Sequence, residues 1–311
     1  MLNRRHIRAK VMQLLYSEKD NLNLKILLKK LTKSMHEMYD LYLLMISFLI
    51  RLRERAINYQ KKSLKKHIKT ENDVNPNMRF IENKFLIKLC NDKSISNKIE
   101  NSFYNWDNNL DYVDLILKDI ISSDIYKLYM QSPFISFQED TNFIIEIFKK
   151  IIVPNIKLYD YIQDKNISWS DDFPVVNTFM VKLFSKISSN KKANLFTPKL
   201  FKDSKDERFG FDLIESTIKN SDKYDDEIIS KTKNWDKDRI AIIDLIILKM
   251  AICEFQEFTN IPAKVTINEY IELAKDYSTP KSNVFINGIL DKILKKYIDN
   301  KTLNKKGRGL M

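Results

Sequence analysis

The sequence predicts an all-α fold, and three observations carry that expectation. Apolar residues recur at three- and four-residue spacing along most of the chain, no run of alternating apolar residues is long enough to argue for a sheet, and only four glycines occur in 311 residues. A chain of this length can bury an ordinary core, and it has room for two domains or for one domain with a large insertion.

The elements follow in order. Ile7, Val11, Leu14 and Leu15 stand at helical spacing and leave Arg4, Arg5, Arg8 and Lys10 largely clear of the apolar stripe, which predicts an amphipathic helix with a basic N-terminal end. From Met35 to about Lys69 the rhythm Met38, Leu41, Tyr42, Met45, Leu49, Leu52, Ala56 describes one long packed helix whose second half is strongly basic. Residues 70–80, centred on Asn75-Pro76-Asn77, have the turn chemistry of a linker. The expected division is therefore a basic helical subdomain over 1–75, a helical insertion over 76–205 and a C-terminal helical subdomain over 206–311. Within the insertion and just beyond it, helices are expected near 81–91, 110–130, 137–152, 173–188 and 207–221, separated by polar turns or by Pro133, Pro154, Pro174 and Pro198.

The last hundred residues have the sharpest pattern. Trp235 to Arg239 lead into Ile240, Ile243, Ile247, Met250, Ala251 and Phe255, a helix apolar around most of its circumference and so expected to be buried. After the Ile261-Pro262 turn, Thr266 followed three residues later by Glu269 matches a capping box, opening a helix through Lys275. Pro280 stops the chain again. Ser282 then reads as the N-cap of a final helix through Phe285, Ile286, Ile289, Leu290, Ile293 and Leu294, with Gly288 as a close packing point. The polar tail after Tyr297 is expected to be mobile.

Composition narrows the function. Four glycines leave no loop to cradle a phosphate or a dinucleotide, which removes P-loop and Rossmann enzymes. Cys90 and Cys253 form no CxxC pair or Cys/His cluster, and His6, His36 and His67 are scattered and expected to face solvent, so no metal site and no cofactor are expected. The cysteine usage, and the lack of an apolar targeting stretch or a membrane span, predict a soluble cytoplasmic protein. The net charge of +12 is unevenly placed. Residues 1–70 hold 17 basic and 5 acidic side chains, while the remainder is balanced. A basic field confined to one segment suits a polyanion, although a lysine-rich solvated face gives the same count.

The stretch 261–290, IPAKVTINEYIELAKDYSTPKSNVFINGIL, resembles the C-terminal signature of the NusB antitermination factors: an Ile/Val-Pro turn, an Asn-Glu-x-x-Glu-Leu-Ala-Lys helix and a Phe-x-Asn-Gly-x-Leu-Asp helix. Arg239, Ala251 and Glu254 fit the helix before that turn, and Arg4-Arg5-His6-Ile7-Arg8 with Leu14-Leu15-Tyr16 resembles the family's arginine-rich opening. The middle departs from the family and looks like a long insertion. The resemblance implies an all-α fold of two small helical subdomains and a non-enzymatic role. That role is to bind the boxA element of ribosomal RNA transcripts together with NusE, a small-subunit ribosomal protein, and to join other Nus factors and RNA polymerase in preventing premature termination. Carried over by position, RNA contacts are expected at Arg4, Arg5, Arg8, Tyr16, Lys281, Ser282 and Phe285, and the ribosomal-protein contact near Asp244 and Glu254. Two positions depart from the pattern: His6 interrupts the basic opening, and Val284 stands where a basic side chain is common.

The chemistry of these residues is consistent with that role. Guanidinium groups bind phosphate and stack on bases, Tyr16 and Phe285 offer aromatic faces, and Ser282 beside Lys281 would mark an anion-friendly helix start. Each has an ordinary reading as well. Phe285 fits a core position, Tyr16 sits on the edge of an apolar stripe, and Glu254 fits a buried pair. Removing the charges of Arg4, Arg5 and Arg8 is expected to weaken RNA binding and leave the fold intact. The competing functions are a fused ribosomal RNA methyltransferase, which the glycine count opposes, a general RNA-binding or ribosome-assembly adaptor, and a helical protein adaptor without RNA affinity.

Overall fold

The structure is a computed structural model, and it describes residues 1–20, 22–65, 67, 74–189, 195–232, 240–303 and 305. Among the described residues there are fourteen α-helices and no strand. In chain order they are α1 (Arg4–Ser17), α2 (Leu24–Ser63), α3 (Lys84–Cys90), α4 (Lys93–Glu100), α5 (Leu110–Ser122), α6 (Asp124–Gln131) and α7 (Phe137–Ile147). There follow α8 (Ile156–Lys165), α9 (Trp169–Phe184), α10 (Ser204–Lys219), α11 (Ser221–Lys231), α12 (Ile242–Glu257), α13 (Ala263–Tyr277) and α14 (Ser282–Asp299). A π-helical segment, Phe148–Ile152, continues α7 and is closed by the Val153 N–H on the Phe148 carbonyl. The chain forms two compact units, one of residues 2–35 with 201–311 and one of Met1 with 36–200.

In the first unit α12 is the central element. Ile247, Leu248 and every residue from Met250 to Phe255 are buried, as its all-round apolarity predicts. The α1 stripe of Ile7, Val11, Met12 and Leu15 is buried in the same unit; Leu14 is only partly covered. The close packing point is Gly210 rather than Gly288. A methyl group at Gly210 would stand 2.7 Å from Ile7 Cγ2 and 3.1 Å from Leu31 Cδ2, whereas one at Gly288 would meet nothing within 4 Å.

Two expected caps also move. Helix α13 starts at Ala263, three residues before Thr266, so Thr266 lies inside the helix and its hydroxyl donates to Glu254 Oε1 at 2.7 Å instead of capping. Helix α14 starts at Ser282 itself, with Lys281 as N-cap. Two described residues of the tail, Thr302 and Lys305, are held by hydrogen bonds. Thr302 N–H donates to the Tyr297 carbonyl, and Lys305 Nζ donates to the carbonyls of Glu254 and Phe258 at 2.9 Å each. Trp235 to Arg239 lie outside the described residues, as does the tail from residue 306 onward.

The second unit is organised on the long helix α2, which starts at Leu24 rather than near Met35 because the Leu27, Leu31, Met35 stripe extends the pattern in the N-terminal direction. Three hydrogen bonds tie later residues to the part of α2 that lies in this unit. Trp106 Nε1 donates to the Leu44 carbonyl and Trp169 Nε1 to the Glu37 carbonyl, both at 2.9 Å, and the Tyr42 hydroxyl donates to the Phe196 carbonyl at 2.6 Å. The residues after 75 belong to this core as well: Phe80 packs edge-on to Tyr126 and Phe143, and Phe85 to Phe184 and Phe196. Residue 75, where a boundary was expected, thus falls inside the unit, while 205 lies close to its end. Pro174 does not separate two elements. It sits in the second turn of α9, where the burial of Trp169, Phe173, Val176 and Met180 outweighs one lost backbone bond.

Candidate nucleic-acid interface

Helix α1 begins on Asn3, whose side chain accepts from the His6 N–H at 3.1 Å. Its first turn holds no acidic residue, so Arg4 and Arg5 stand at the positive end of the helix dipole, an unfavourable place for cations unless anions approach from elsewhere. Three helices supply them. Arg4 Nε donates to Asp206 Oδ1 of α10 at 2.9 Å. Arg5 donates through Nε and Nη2 to Glu269 of α13 at 3.0 and 2.9 Å, and Arg8 donates through Nε and Nη2 to Glu254 of α12 at 2.8 Å each.

The three arginines differ in what remains available. Arg5 is about half exposed and keeps Nη1 without a partner among the described residues. Arg4 lies over the Phe209 ring, is 29% exposed at its side chain and keeps both terminal nitrogens unpaired among the described residues. Arg8 is buried. Its guanidinium also lies over the Phe209 and Tyr270 rings and reaches Glu269 Oε2 at 3.5 Å. Burial works against its charge, but the hydrogen bonds and charge of Glu254 outweigh that cost and raise its pKa. Tyr16 is exposed, eleven residues beyond Arg5 on the same helix. Eleven residues are three turns and 20°, so the two share a face about 16 Å apart.

Glu254 is fully enclosed and takes four donors, two from Arg8 with the hydroxyls of Thr266 and Tyr270. Asp244 is likewise buried and receives the Ser278 hydroxyl at 2.6 Å and the Ser282 hydroxyl at 2.7 Å, so it fastens the turn between α13 and α14 to the first turn of α12. These placements correct four expectations. Arg8 and Ser282, expected at RNA, and Asp244 and Glu254, expected at a partner, are buried instead, Arg8 paired with Glu254 and Ser282 with Asp244. Removing Arg8 along with Arg4 and Arg5 is therefore expected to cost stability, because Glu254 would stay buried without its cation. Lys281 is exposed and Phe285 is half-buried beside it on α14. His6 is only partly exposed, and its Nδ1 has no hydrogen-bond partner among the described residues.

Sequence reasoning missed Asp206 as a partner of Arg4 and assigned Glu269 to capping. One signal was present for the buried clamp: Glu254 is a lone acid in the run from Ile247 to Phe255, and a carboxylate in such a run needs a cation. Among the described residues no group of three or more His, Cys, Asp or Glu could hold a metal ion, and no helix is long and apolar enough to cross a membrane.

Residues 178–295 match the model of the NusB family. The chain is 44% identical over 103 residues to a transcription antitermination protein NusB of Salinibacter ruber, covering 33% of this chain and 64% of the relative. It is 43% identical over 109 residues to one of Chloroherpeton thalassium (35% and 52%) and 44% identical over 81 residues to one of Natranaerobius thermophilus (26% and 58%). The matched stretch thus spans less than two thirds of each relative's length. No solved structure matches the chain.

Proposed function

With a NusB family domain at residues 178–295 as the premise, we propose that this chain is a non-enzymatic, cytoplasmic RNA-binding antitermination factor. It binds boxA-type RNA of ribosomal RNA transcripts together with a NusE-type ribosomal protein, and through other Nus factors reaches RNA polymerase. The observation that carries this reading is the joining of α1 to the family domain. Arg4, Arg5 and Arg8 pair with Asp206, Glu269 and Glu254, so the arginine-rich opening and the matched C-terminal helices form one unit. In this reading Arg4 and Arg5 contact phosphate, Tyr16 stacks on a base, and Lys281 with Phe285 adds a second contact at the start of α14. Arg8, Glu254, Asp244 and Ser282 hold those helices in place.

A fluorescence-anisotropy titration of a boxA-type RNA against a scrambled one, with and without the NusE-type protein and at two salt concentrations, tests this. Sequence-selective binding that tightens with the protein supports it. Equal binding of both RNAs, unaffected by the protein, would make the chain a general helical RNA-binding or ribosome-assembly adaptor.

A further inference from the structure

The unit of Met1 and residues 36–200 contains two adjoining clefts that nothing described so far uses. One, of about 490 Å³, lies between the C-terminal turns of α2, the Pro76-Asn77 segment and α6. The other, of about 370 Å³, lies between α2 and α5. Tyr59 of α2 and Ile121 of α5 line both, so together they form the wall between the two. Tyr59 is 60% exposed, and its ring makes no aromatic contact among the described residues.

The charge around this wall is basic. Lys62 and Lys118 line the smaller cleft and have no ion-pair partner among the described residues; Lys127 lines the larger, and Lys61 and Lys65 are exposed next to Lys62. Of the acidic side chains nearby, Asp114 is paired with Arg55 and Asp119 accepts from Asn155 Nδ2, while Asp124 holds Lys127 in an exposed pair that leaves the ammonium two further donors for phosphate. Three amide side chains also line the clefts with no hydrogen bond among the described residues: Asn58, Gln60 and Gln131.

An occupant must therefore be a polyanion that carries flat apolar groups with polar edges. Single-stranded nucleic acid fits that description, since its bases can stack on an aromatic face while its phosphates meet lysines. A duplex keeps its base faces stacked away from any side chain, and an acidic peptide offers a flat ring only at an occasional aromatic residue, where a single strand offers one at every nucleotide. We propose that these clefts form a second RNA-binding surface, with a base of a single strand in each, Tyr59 between them, and Lys62, Lys118 and Lys127 on the phosphates. The choice of RNA over DNA rests on the proposed function; the surface itself is independent of α1.

The test uses the full chain and a twelve-nucleotide uridine RNA carrying 5-iodouridine, with polyglutamate as a competitor. Photo-crosslinking should map to the segment containing Tyr59. Tyr59→Ala should weaken binding about fivefold or more. The triple change Lys62→Ala, Lys118→Ala, Lys127→Ala should flatten the slope of log affinity against log salt by about 2, from roughly 0.7 for each phosphate of a single strand. All these side chains are exposed, so circular dichroism should be unchanged. Both effects should persist in an Arg4→Ala, Arg5→Ala background, which separates this surface from the α1 site. Three results would overturn the proposal: crosslinks confined to α1 or α14, wild-type affinity in Tyr59→Ala, or displacement by polyglutamate as effective as by unlabelled RNA. The last would assign the clefts to an acidic protein.

Discussion

Arg8 and Glu254 are 246 positions apart in the sequence and share a two-bonded ion pair that is almost wholly shielded from water, with side-chain exposures of 4% and 0%. The pair joins the first helix to the most deeply buried one. It also places Arg5 and Arg4, on the neighbouring turn, where they meet Glu269 and Asp206. The surface arginines are thus positioned by an interior one.

Glu254→Ala should destabilise the protein by about 3–5 kcal/mol, the usual cost of leaving one partner of a buried pair uncompensated. The Thr266 and Tyr270 hydroxyls lose their acceptor at the same time. The double change Arg8→Met, Glu254→Leu removes both charges and should cost less than the sum of the two single changes. Urea unfolding of the four proteins measures the coupling. Additive single effects would mean that water already relieves the pair.

Two glycines on helices should respond in opposite directions. Gly210→Ala forces a methyl group to 2.7 Å from Ile7, and overpacking of this kind costs about 1–3 kcal/mol. Gly288→Ala enters open space on an exposed helical position and should stabilise by about 0.5–1 kcal/mol. Thermal unfolding distinguishes them; a lower midpoint for Gly288→Ala would contradict the open surroundings of that site.

The sequence is most readable where one local rule decides the outcome. The apolar periodicity finds α1 and most of α2, though it starts α2 eleven residues late, and the run from Ile247 to Phe255 announces a buried helix. It is least readable where a side chain has two uses. Thr266 and Ser282 have capping chemistry, but each gives its hydroxyl to a buried carboxylate supplied by α12, which local sequence does not reveal. Arg8 looks like its neighbours Arg4 and Arg5, and only its position on the inner face of α1 separates a structural arginine from two exposed ones. Helices α4, α8 and α11 are only eight, ten and eleven residues long, too short for periodicity alone to separate a helix from other structure.

His6 should make stability depend on pH. Burial first, then the positive charges of Lys10 and Arg5, lower its pKa from 6.5 to about 4 in the folded protein, with Glu269 opposing. The unfolded chain therefore binds more protons between those values. The stabilising contribution of neutral His6 is complete above pH 6.5 and is lost as pH falls through about 4. Comparing urea midpoints at pH 7 and pH 5 for the natural protein and for His6→Asn isolates it. The variant should lose less stability over that interval, and parallel losses would place the pH dependence on other groups.

Arg5 and Tyr16 share one face of α1, but they should fail in different ways. Arg5→Ala removes a cation and should weaken binding of a boxA-type RNA at low salt, reducing the salt slope by about 1. It also releases Glu269, whose pKa is now held down by Arg5 and Arg8 against the effect of burial, so a nearby carboxylate adds to the loss. Tyr16→Ala removes an exposed ring that carries no charge. Its cost, about 1–3 kcal/mol if a base stacks there, should be the same at both salt concentrations. Anisotropy titrations of the two variants separate charge from stacking. If Tyr16→Ala binds as tightly as the natural protein, α1 holds the RNA through its arginines alone, and the stacking contact belongs to Phe285.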